Sequence, residues 1–158
     1  MKIYIKEAEI YDVYRIRELQ KKCFKDDFEK YGESPSYTEN ITRTLQKLTK
    51  DIFYKAVLDK KIVGVVHIYN WGEGHFHLNM ICVDPDYQNR GIGTCLVNYV
   101  EDKLTEATLW TLITAEENYK NHHFYEKFGY KKVGEVVHSQ YLTFRQYEKK
   151  KIASATAM

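Results

Sequence analysis

The chain has 158 residues and a formal net charge of +2, from 24 basic and 22 acidic side chains. Hydrophobic residues make up 44% and charged residues 29%, which is typical of one globular domain and excludes a disordered chain. The scattered charge excludes a basic footprint for nucleic acid, and apolar runs such as IVGVV are too short to span a membrane.

Period-two and period-3.6 patterns predict the elements of the first half of the chain. In order, they are a strand at 2–8, a helix at 9–24, a polar segment at 25–39 broken by Gly32 and Pro35, a short helix at 39–50, and strands at 52–58, 61–70 and 75–83. The three cysteines, Cys23, Cys82 and Cys95, lack metal-type spacing, which predicts no metal site and favours a reducing, cytoplasmic compartment.

The second half continues the alternation of helices and strands. It predicts a helix from Ile92, a strand at 107–115, a helix at 117–128 ended by Gly129, and strands at 130–137 and 139–148. This order indicates an α/β (α+β) fold with about seven strands in a mixed sheet and about four flanking helices. We therefore expect a single domain over 1–148, followed by a basic, small-residue tail at 149–158.

Strand alternation over HFHLNMICV assigns its residues to two faces. One face holds Phe76, Leu78, Met80 and Cys82, and the other holds His75, His77, Asn79, Ile81 and Val83.

The segment QNRGIG follows this strand and opens the next helix. Unpaired N–H groups at a helix start favour an anion, and Gly91 and Gly93 remove side chains that would block it. With Arg90, this pattern predicts a pyrophosphate site, although glycines at a helix start also serve tight packing.

Neither common nucleotide fingerprint is present, because GxxxxGK[ST] is absent and GxGxxG would require glycine at Leu96. QNRGIG instead resembles the acetyl-CoA motif [Q/R]xxGx[G/A] of the GCN5-related N-acetyltransferase (GNAT) superfamily. NYKNHHFYEKFGY resembles a second signature of that family, carried by Asn118, Tyr125, Gly129 and Tyr130. The resemblance covers roughly residues 2–147, and it departs from the family at His122, where alanine is common.

The resemblance implies a GNAT-like fold with a splayed sheet and acetyl-CoA as co-substrate, without a metal. It implies that the pantetheine arm pairs with the exposed backbone of the strand before the QNRGIG segment. The implied cofactor-binding residues are Ile81, Val83, Gln88, Asn89, Arg90, Gly91, Ile92, Gly93, Thr94, Asn118 and Tyr125. Asn118 could equally be a helix N-cap, and Gln88 a support for its loop.

The resemblance also implies two catalytic residues. Tyr125 would protonate the departing CoA thiolate, although it could simply be a core tyrosine. His77 stands where some family members place a glutamate base, and an imidazole ionising near pH 6 to 7 suits that role. The alternatives are a structural histidine with a water molecule or Glu73 as the base.

The resulting hypothesis is an N-acetyltransferase in which a primary amine attacks acetyl-CoA directly in a ternary complex. The rival is a non-catalytic acyl-CoA-binding or regulatory module of the same fold. We expect a small-molecule, peptide or protein amine as the acceptor, no nucleic acid or membrane partner, and the resemblance admits a homodimer. The predicted acceptor wall combines acidic and aromatic residues that suit a cationic amine: Asp26, Asp27, Glu29, Glu33, Phe24, Phe28, Tyr31 and Tyr37.

Overall fold

Seven strands form one mixed sheet in the computed structural model, which describes residues 2–151. The strands are β1 (Ile3–Glu7), β2 (Ile52–Leu58), β3 (Lys61–Gly72), β4 (His75–Val83), β5 (Leu109–Ala115), β6 (Lys131–Val137) and β7 (Thr143–Lys150). Their order across the sheet is β1-β2-β3-β4-β5-β7-β6. Among the described residues, β4 and β5 alone pair in parallel, and the other neighbours are antiparallel. The predicted fold class is confirmed.

Five helices flank the sheet in the described chain, one more than predicted. They are α1 (Val13–Tyr31), α2 (Pro35–Thr38), α3 (Ile41–Lys50), α4 (Ile92–Lys103) and α5 (Tyr119–Lys127). The additional helix, α2, has four residues and lies inside the segment predicted to be irregular. Short 3₁₀ turns at Ile10–Asp12 and Pro85–Tyr87 precede α1 and α4.

Helix α1 extends seven residues beyond its predicted end at Phe24. Four half-buried side chains continue its inward stripe at helical spacing, namely Phe24, Asp27, Phe28 and Tyr31. Phe28 stacks on Tyr37 with ring centroids 4.6 Å apart. The helix ends at Gly32, whose φ of 74° and N–H bond to the Phe28 carbonyl form a left-handed cap.

A β-bulge at Asn79 changes which side of the sheet the residues of β4 face. His67 of β3 pairs with Met80, but the next residue of β3, Ile68, pairs with Leu78, so Asn79 is an extra residue in the ladder. Phe76 and Leu78 accordingly pack with Leu96 and Val100 of α4, whereas Met80 and Cys82 pack with Ile16 and Leu19 of α1. The prediction that these four β4 residues share one face is therefore wrong. Ile81 and Val83 pack on the same side as Phe76 and Leu78. His77 therefore lies on the opposite side of the sheet from Ile81 and Val83, and the prediction that the three share a face is also wrong.

Strands β4 and β5 separate after a short stretch of pairing. Their ladder joins only His75, Phe76 and His77 to residues 109–111 within the described chain. Beyond it, β4 remains paired with β3 alone. The Asp84 N–H donates to the Val63 carbonyl of β3 at 2.8 Å, so by alternation the backbone groups of Ile81 and Val83 point away from β3 and into the gap.

The described chain ends just beyond the sheet. Strand β7 runs to Lys150, two residues past the predicted end of the domain, and Lys149 makes an ion pair with Glu101 of α4 at 2.7 Å. The remainder of the predicted tail, 152–158, lies outside the described residues. Among the helices in residues 2–151, none has the length and apolar character needed to cross a membrane.

Candidate active site

The gap between β4 and β5 opens into a cavity of about 280 Å³, called here the active-site cavity. Its walls come from the two separated strands, from α1, the loop after it and the start of α2, from α5, and from the β6–β7 connection and the start of β7. The lining residues are Phe24, Asp27, Tyr31, Glu33, Ser34, Pro35, Ser36, Leu78, Asn79, Met80, Ile81, Ile113, Thr114, Ala115, Asn121, Tyr125, His138, Leu142 and Phe144. Its wall near the strands is apolar apart from Asn79 and Thr114, and carboxylates lie on the α1 side.

Tyr125 of α5 lines this cavity. Its side chain is 5% exposed, and its ring packs edge-on against Phe124 and Tyr130. Burial raises the pKa of the Tyr125 hydroxyl well above its usual value, so the phenol stays protonated at any physiological pH. A protonated hydroxyl lining the cavity can donate to an anion inside it.

The start of α4 lies at the end of β4, and residues 88–94 are called here the phosphate cradle. Gly91 is the helix N-cap with φ of 78°, and its carbonyl accepts the Cys95 N–H at 3.0 Å. The N–H groups of Ile92, Gly93 and Thr94 precede this first helical hydrogen bond, so helical geometry gives them no acceptor within the helix. An anion held by these three donors also gains from the positive end of the helix dipole.

The two glycines of the cradle have different surroundings. A β-carbon on Gly91 would find no heavy atom within 4 Å, whereas one on Gly93 would lie 3.3 Å from Cζ of Phe124. Gly91 therefore keeps the approach to the helix start open and supplies a left-handed backbone, while Gly93 permits close packing of α4 on α5. Arg90 adds its guanidinium nearby, with Cζ 5.2 Å from the centroid of the Tyr87 ring.

A buried aspartate anchors the loop that carries the cradle. Asp84 accepts hydrogen bonds from Lys22 at 2.9 Å, from the Asp86 N–H at 3.0 Å and from Arg15 at 2.8 Å. Burial opposes the charge, but these hydrogen bonds hold the pKa of Asp84 below its usual range. Sequence reasoning missed both cations, although their seven-residue spacing places them on one face of α1. Gln88 supports the same loop, donating to the Val83 carbonyl at 3.4 Å.

The structure places His77, the predicted base, away from the lining of the active-site cavity. Its ring stacks on Trp71 with centroids 4.3 Å apart, and its Nδ1 lies 2.8 Å from the Thr111 hydroxyl. Burial, followed by the neighbouring His75 and His67, lowers its pKa to about 4, below the expected 6 to 7. Glu73, the alternative base, is exposed in the β3–β4 turn at the far end of β4 from the cradle.

Two other residues of the second signature have structural contacts. Asn118 is the N-cap of α5, and its side-chain oxygen accepts the Asn121 N–H at 3.1 Å. His122, where the sequence departs from the family, is buried and lies 2.9 Å through Nε2 from the Ala115 carbonyl. The cap fixes the start of α5, the helix that carries Tyr125, and the His122 contact positions that helix relative to the end of β5.

The predicted acceptor wall divides between the cavity and the surface. Asp27, Glu33, Phe24 and Tyr31 line the cavity, whereas Asp26 and Glu29 are exposed and Phe28 and Tyr37 stack on each other. Burial and the neighbouring Asp26 raise the pKa of Asp27, partly offset by Lys30. No hydrogen bond or ion pair within residues 2–151 holds the Asp27 carboxylate, whereas Glu33 accepts the Ser139 hydroxyl.

Within residues 2–151, no group of three or more histidine, cysteine, aspartate or glutamate side chains is placed to hold a metal ion. All three cysteines are free thiols, and none of them lines the active-site cavity in the described chain. Cys82 is buried against α1, and Cys23 donates to the Val83 carbonyl at 3.1 Å. Among the described residues, the polar side chains that line the cavity are therefore two phenols, three aliphatic hydroxyls, two carboxylates, two amides and one imidazole, His138.

Several solved structures share this fold. The PaiA N-acetyltransferase from Thermoplasma acidophilum, solved with coenzyme A, superposes with a TM-score of 0.79 and 19% identity, covering 96% of this chain and 100% of the other. The ribosomal-protein-S18-alanine N-acetyltransferase from Escherichia coli gives 0.80 and 14%, covering 98% and 97%. An acetyltransferase from Thermus thermophilus gives 0.78 and 16%, covering 96% and 98%.

The sequence comparisons address the family itself. No curated protein sequence is similar enough to this chain to count as a match. The sequence profile of the Acetyltransferase (GNAT) family matches residues 13–130, which span α1 through α5 and so include the phosphate cradle and most of the cavity wall. The chain therefore belongs to the GNAT acetyltransferase family.

Proposed function

We propose that this protein transfers the acetyl group of acetyl-CoA to a primary amine, by direct attack within a ternary complex. The observation that carries the proposal is the continuity of the site. The separated edge of β4 runs from the active-site cavity directly into the phosphate cradle, so one extended ligand can contact both. Coenzyme A has that shape, with a diphosphate at one end and a thioester at the other.

The residues present fit this ligand. The diphosphate would lie on the N–H groups of the cradle, with Arg90 beside it and Asn89, Gly91, Ile92, Gly93 and Thr94 forming the turn. The pantetheine amides would pair with the backbone N–H and carbonyl of Ile81 and with the N–H of Val83, whereas the Val83 carbonyl already accepts from Cys23 and Gln88. Gln88 and Asn118 act on this ligand indirectly, since each already holds a loop or helix that forms the site.

The chemistry requires the amine to attack the thioester carbonyl and the CoA thiolate to leave. Acetyl-CoA supplies the acyl group, and backbone N–H groups of the separated β4 edge can stabilise the oxyanion that develops. Tyr125 donates its proton to the departing thiolate, because burial keeps its hydroxyl protonated beside the cavity. Direct attack fits the cavity lining, which offers no cysteine for an acyl-enzyme within the described residues.

The amine must also lose a proton, and we assign its acceptance to Asp27 rather than to His77. Asp27 lines the cavity and has no hydrogen-bond partner in residues 2–151, whereas His77 is stacked on Trp71 outside it. A carboxylate with a raised pKa is a stronger base than an ordinary aspartate. Its charge also attracts an ammonium group, so Asp27 serves first to bind the acceptor and then to take its proton.

The acceptor class follows from the same wall. Asp27 and Glu33 provide negative charge, and Phe24 and Tyr31 provide aromatic faces for a cation. A cationic amine on a flexible chain, such as an alkylamine, a polyamine or a peptide amine, fits this lining.

The test is a turnover assay in which acetyl-CoA and a panel of amines are mixed with the protein and released CoA is read with a thiol reagent. The panel contains polyamines, amino acids, aminoglycosides and peptides with a free N-terminus. Calorimetry with acetyl-CoA accompanies the assay. Tight binding without release of CoA for any amine would favour the non-catalytic acyl-CoA-binding module instead.

A further inference from the structure

A chain of three polar side chains connects α3 and β3 to the active-site cavity. His67 of β3 is fully buried, and its Nε2 lies 2.8 Å from Oδ2 of Asp51. Its Nδ1 lies 3.0 Å from Nδ2 of Asn79, the bulge residue of β4 that lines the cavity. The imidazole is packed against Phe53 and Tyr69, with ring centroids 5.1 and 4.7 Å away.

The proton positions in this chain follow from what each group can donate. A carboxylate only accepts, so the hydrogen on the His67 ring must be on Nε2, facing Asp51. Burial lowers the pKa of His67, and Lys47 adds to this, while Asp51 and Glu39 oppose it, so the ring is neutral at pH 7. Nδ1 is then an acceptor, and only the amide nitrogen of Asn79 can donate to it.

This assignment fixes the orientation of the Asn79 amide. With Nδ2 turned toward His67, Oδ1 lies at the opposite end of the amide. The bulge places Asn79 two residues before Ile81, about 7 Å along the strand. In the proposed binding mode the thioester follows the pantetheine amides and lies on the side of Ile81 that faces away from the cradle, toward Asn79. An oxygen on Asn79 is then within reach of a nucleophile approaching the thioester carbonyl.

We propose that Asp51 and His67 hold the Asn79 amide so that its oxygen accepts a hydrogen bond from the N–H of the amine acceptor. The proposal rests on the acetyltransferase function proposed above. Asn79 contacts the substrate and directs the nitrogen lone pair toward the thioester, whereas Asp51 and His67 are positioning residues. Asn79 takes no proton, because an amide cannot act as a base in this pH range.

The decisive variants keep shape while removing one interaction. Asn79→Leu removes the amide oxygen, and we expect kcat/KM for the amine to fall about tenfold to a hundredfold, as for one lost hydrogen bond to a reacting group. The Kd for acetyl-CoA should stay within about twofold. His67→Phe keeps a ring between Phe53 and Tyr69 but frees the Asn79 amide, and should lower kcat/KM in the same direction. His67→Asn places an amide oxygen near the position of Nδ1, and should recover part of the loss.

A double-mutant cycle separates positioning from general support of the fold. In an Asn79→Leu background, His67→Phe should lower kcat/KM little further, because the amide that His67 positions is already absent. A full, additive loss would overturn the positioning role. Unchanged kcat/KM in Asn79→Leu would overturn the contact with the amine.

A second measurement does not depend on turnover. Histidine ¹⁵N NMR at pH 7 should show His67 neutral with its proton on Nε2, and Asp51→Asn should give a mixture of the two tautomers, since an amide can donate as well as accept. A charged ring, or a proton on Nδ1 in the wild type, would overturn the assignment. Absence of turnover by the wild-type protein with every amine would instead contradict the proposed function, and would be recognised before any variant is compared.

Discussion

Gly93 and Phe124 lie close enough that a single added carbon would touch the ring. The β-carbon of an alanine at Gly93 would be 3.3 Å from Cζ and 3.5 Å from Cε1 of Phe124. Phe124 precedes Tyr125 on α5, so the packing of α4 against α5 sets the distance between the phosphate cradle and the proposed catalytic acid. The second glycine of the motif therefore has a packing role that is separate from phosphate binding.

Gly93→Ala should destabilise the protein by at most about 1 kcal/mol, because overpacking against the Phe124 ring costs about 1–3 kcal/mol and alanine regains roughly 1 kcal/mol over glycine in a helix. Chemical denaturation measures this free energy. In a Phe124→Leu background, where the ring is absent, the same alanine should cost clearly less. Equal losses in the two backgrounds would contradict the packing role of Gly93.

Gly91→Glu and Gly91→Ala separate charge from backbone strain at the cradle. Both place a side chain at φ of 78°, which costs about 1 kcal/mol, and neither β-carbon meets a neighbour within 4 Å. Only glutamate adds a negative charge where the diphosphate would bind. We expect its Kd for acetyl-CoA, measured by calorimetry, to be at least about tenfold weaker than that of the alanine variant. Equal affinities of the two variants would contradict binding of the diphosphate at the start of α4.

The strand and helix order was predictable from the sequence because periodicity is a local property. The seven strands and the helix that begins at Ile92 all follow from spacing within short windows. The end of α1 was not predictable in this way, since Asp27 continues the inward stripe and a carboxylate there looks like a solvated loop. Its inward position becomes understandable only once the cavity that it lines is known.

The candidate site was predictable where motifs are contiguous, and not where it depends on contacts across the sheet. Strand alternation assumes an unbroken ladder, and one extra residue at Asn79 reverses every face assignment beyond it. No local pattern marks that bulge, so His77 was grouped with Ile81 incorrectly. The anchoring of Asp84 by Arg15 and Lys22 spans more than 60 residues of sequence and likewise leaves no local signal.

Tyr125→Phe should lower kcat by about tenfold to a thousandfold while the KM for acetyl-CoA stays within about twofold, because the ring packing remains and only the proton donor is lost. Steady-state kinetics with an accepted amine measures both constants. The matched control is Tyr130→Phe. The Tyr130 hydroxyl is buried without a hydrogen-bond partner in the described chain, so its removal should leave kcat unchanged. Unchanged kcat in Tyr125→Phe would assign thiolate protonation to water.

Asp27→Asn should raise the KM for a cationic amine at least about tenfold, since the amide keeps the shape but neither pairs with an ammonium nor accepts its proton. The control is Asp26→Asn, an exposed neighbour outside the cavity lining, which should leave the KM nearly unchanged and only lower the pKa of Asp27, since the Asp26 charge helps to raise it. In the wild type, kcat/KM should fall as pH falls through the raised pKa of Asp27, because the protonated acid is no longer a base. The amine's own titration is shared by both proteins. The additional acidic limb should be missing in Asp27→Asn, and its persistence would exclude Asp27 as the base.

His77 should contribute a pH dependence to stability rather than to catalysis. Its folded pKa is about 4, below the ordinary 6.5, because burial and the nearby His75 and His67 oppose its charge. The unfolded chain therefore binds a proton more readily, and the folded state loses stability as pH falls from about 6.5 to about 4. The shift corresponds to a loss on the order of 3 kcal/mol over that window.

Urea denaturation at several pH values tests this directly. His77→Phe keeps a ring stacked on Trp71 but cannot ionise, so the free energy of unfolding should fall less steeply than in the wild type between pH 6.5 and 4. The exposed His123 on α5 supplies the control, and His123→Gln should follow the wild-type curve. Parallel curves for His77→Phe and the wild type would show that His77 can be protonated in the folded protein, which would return it to consideration as a base.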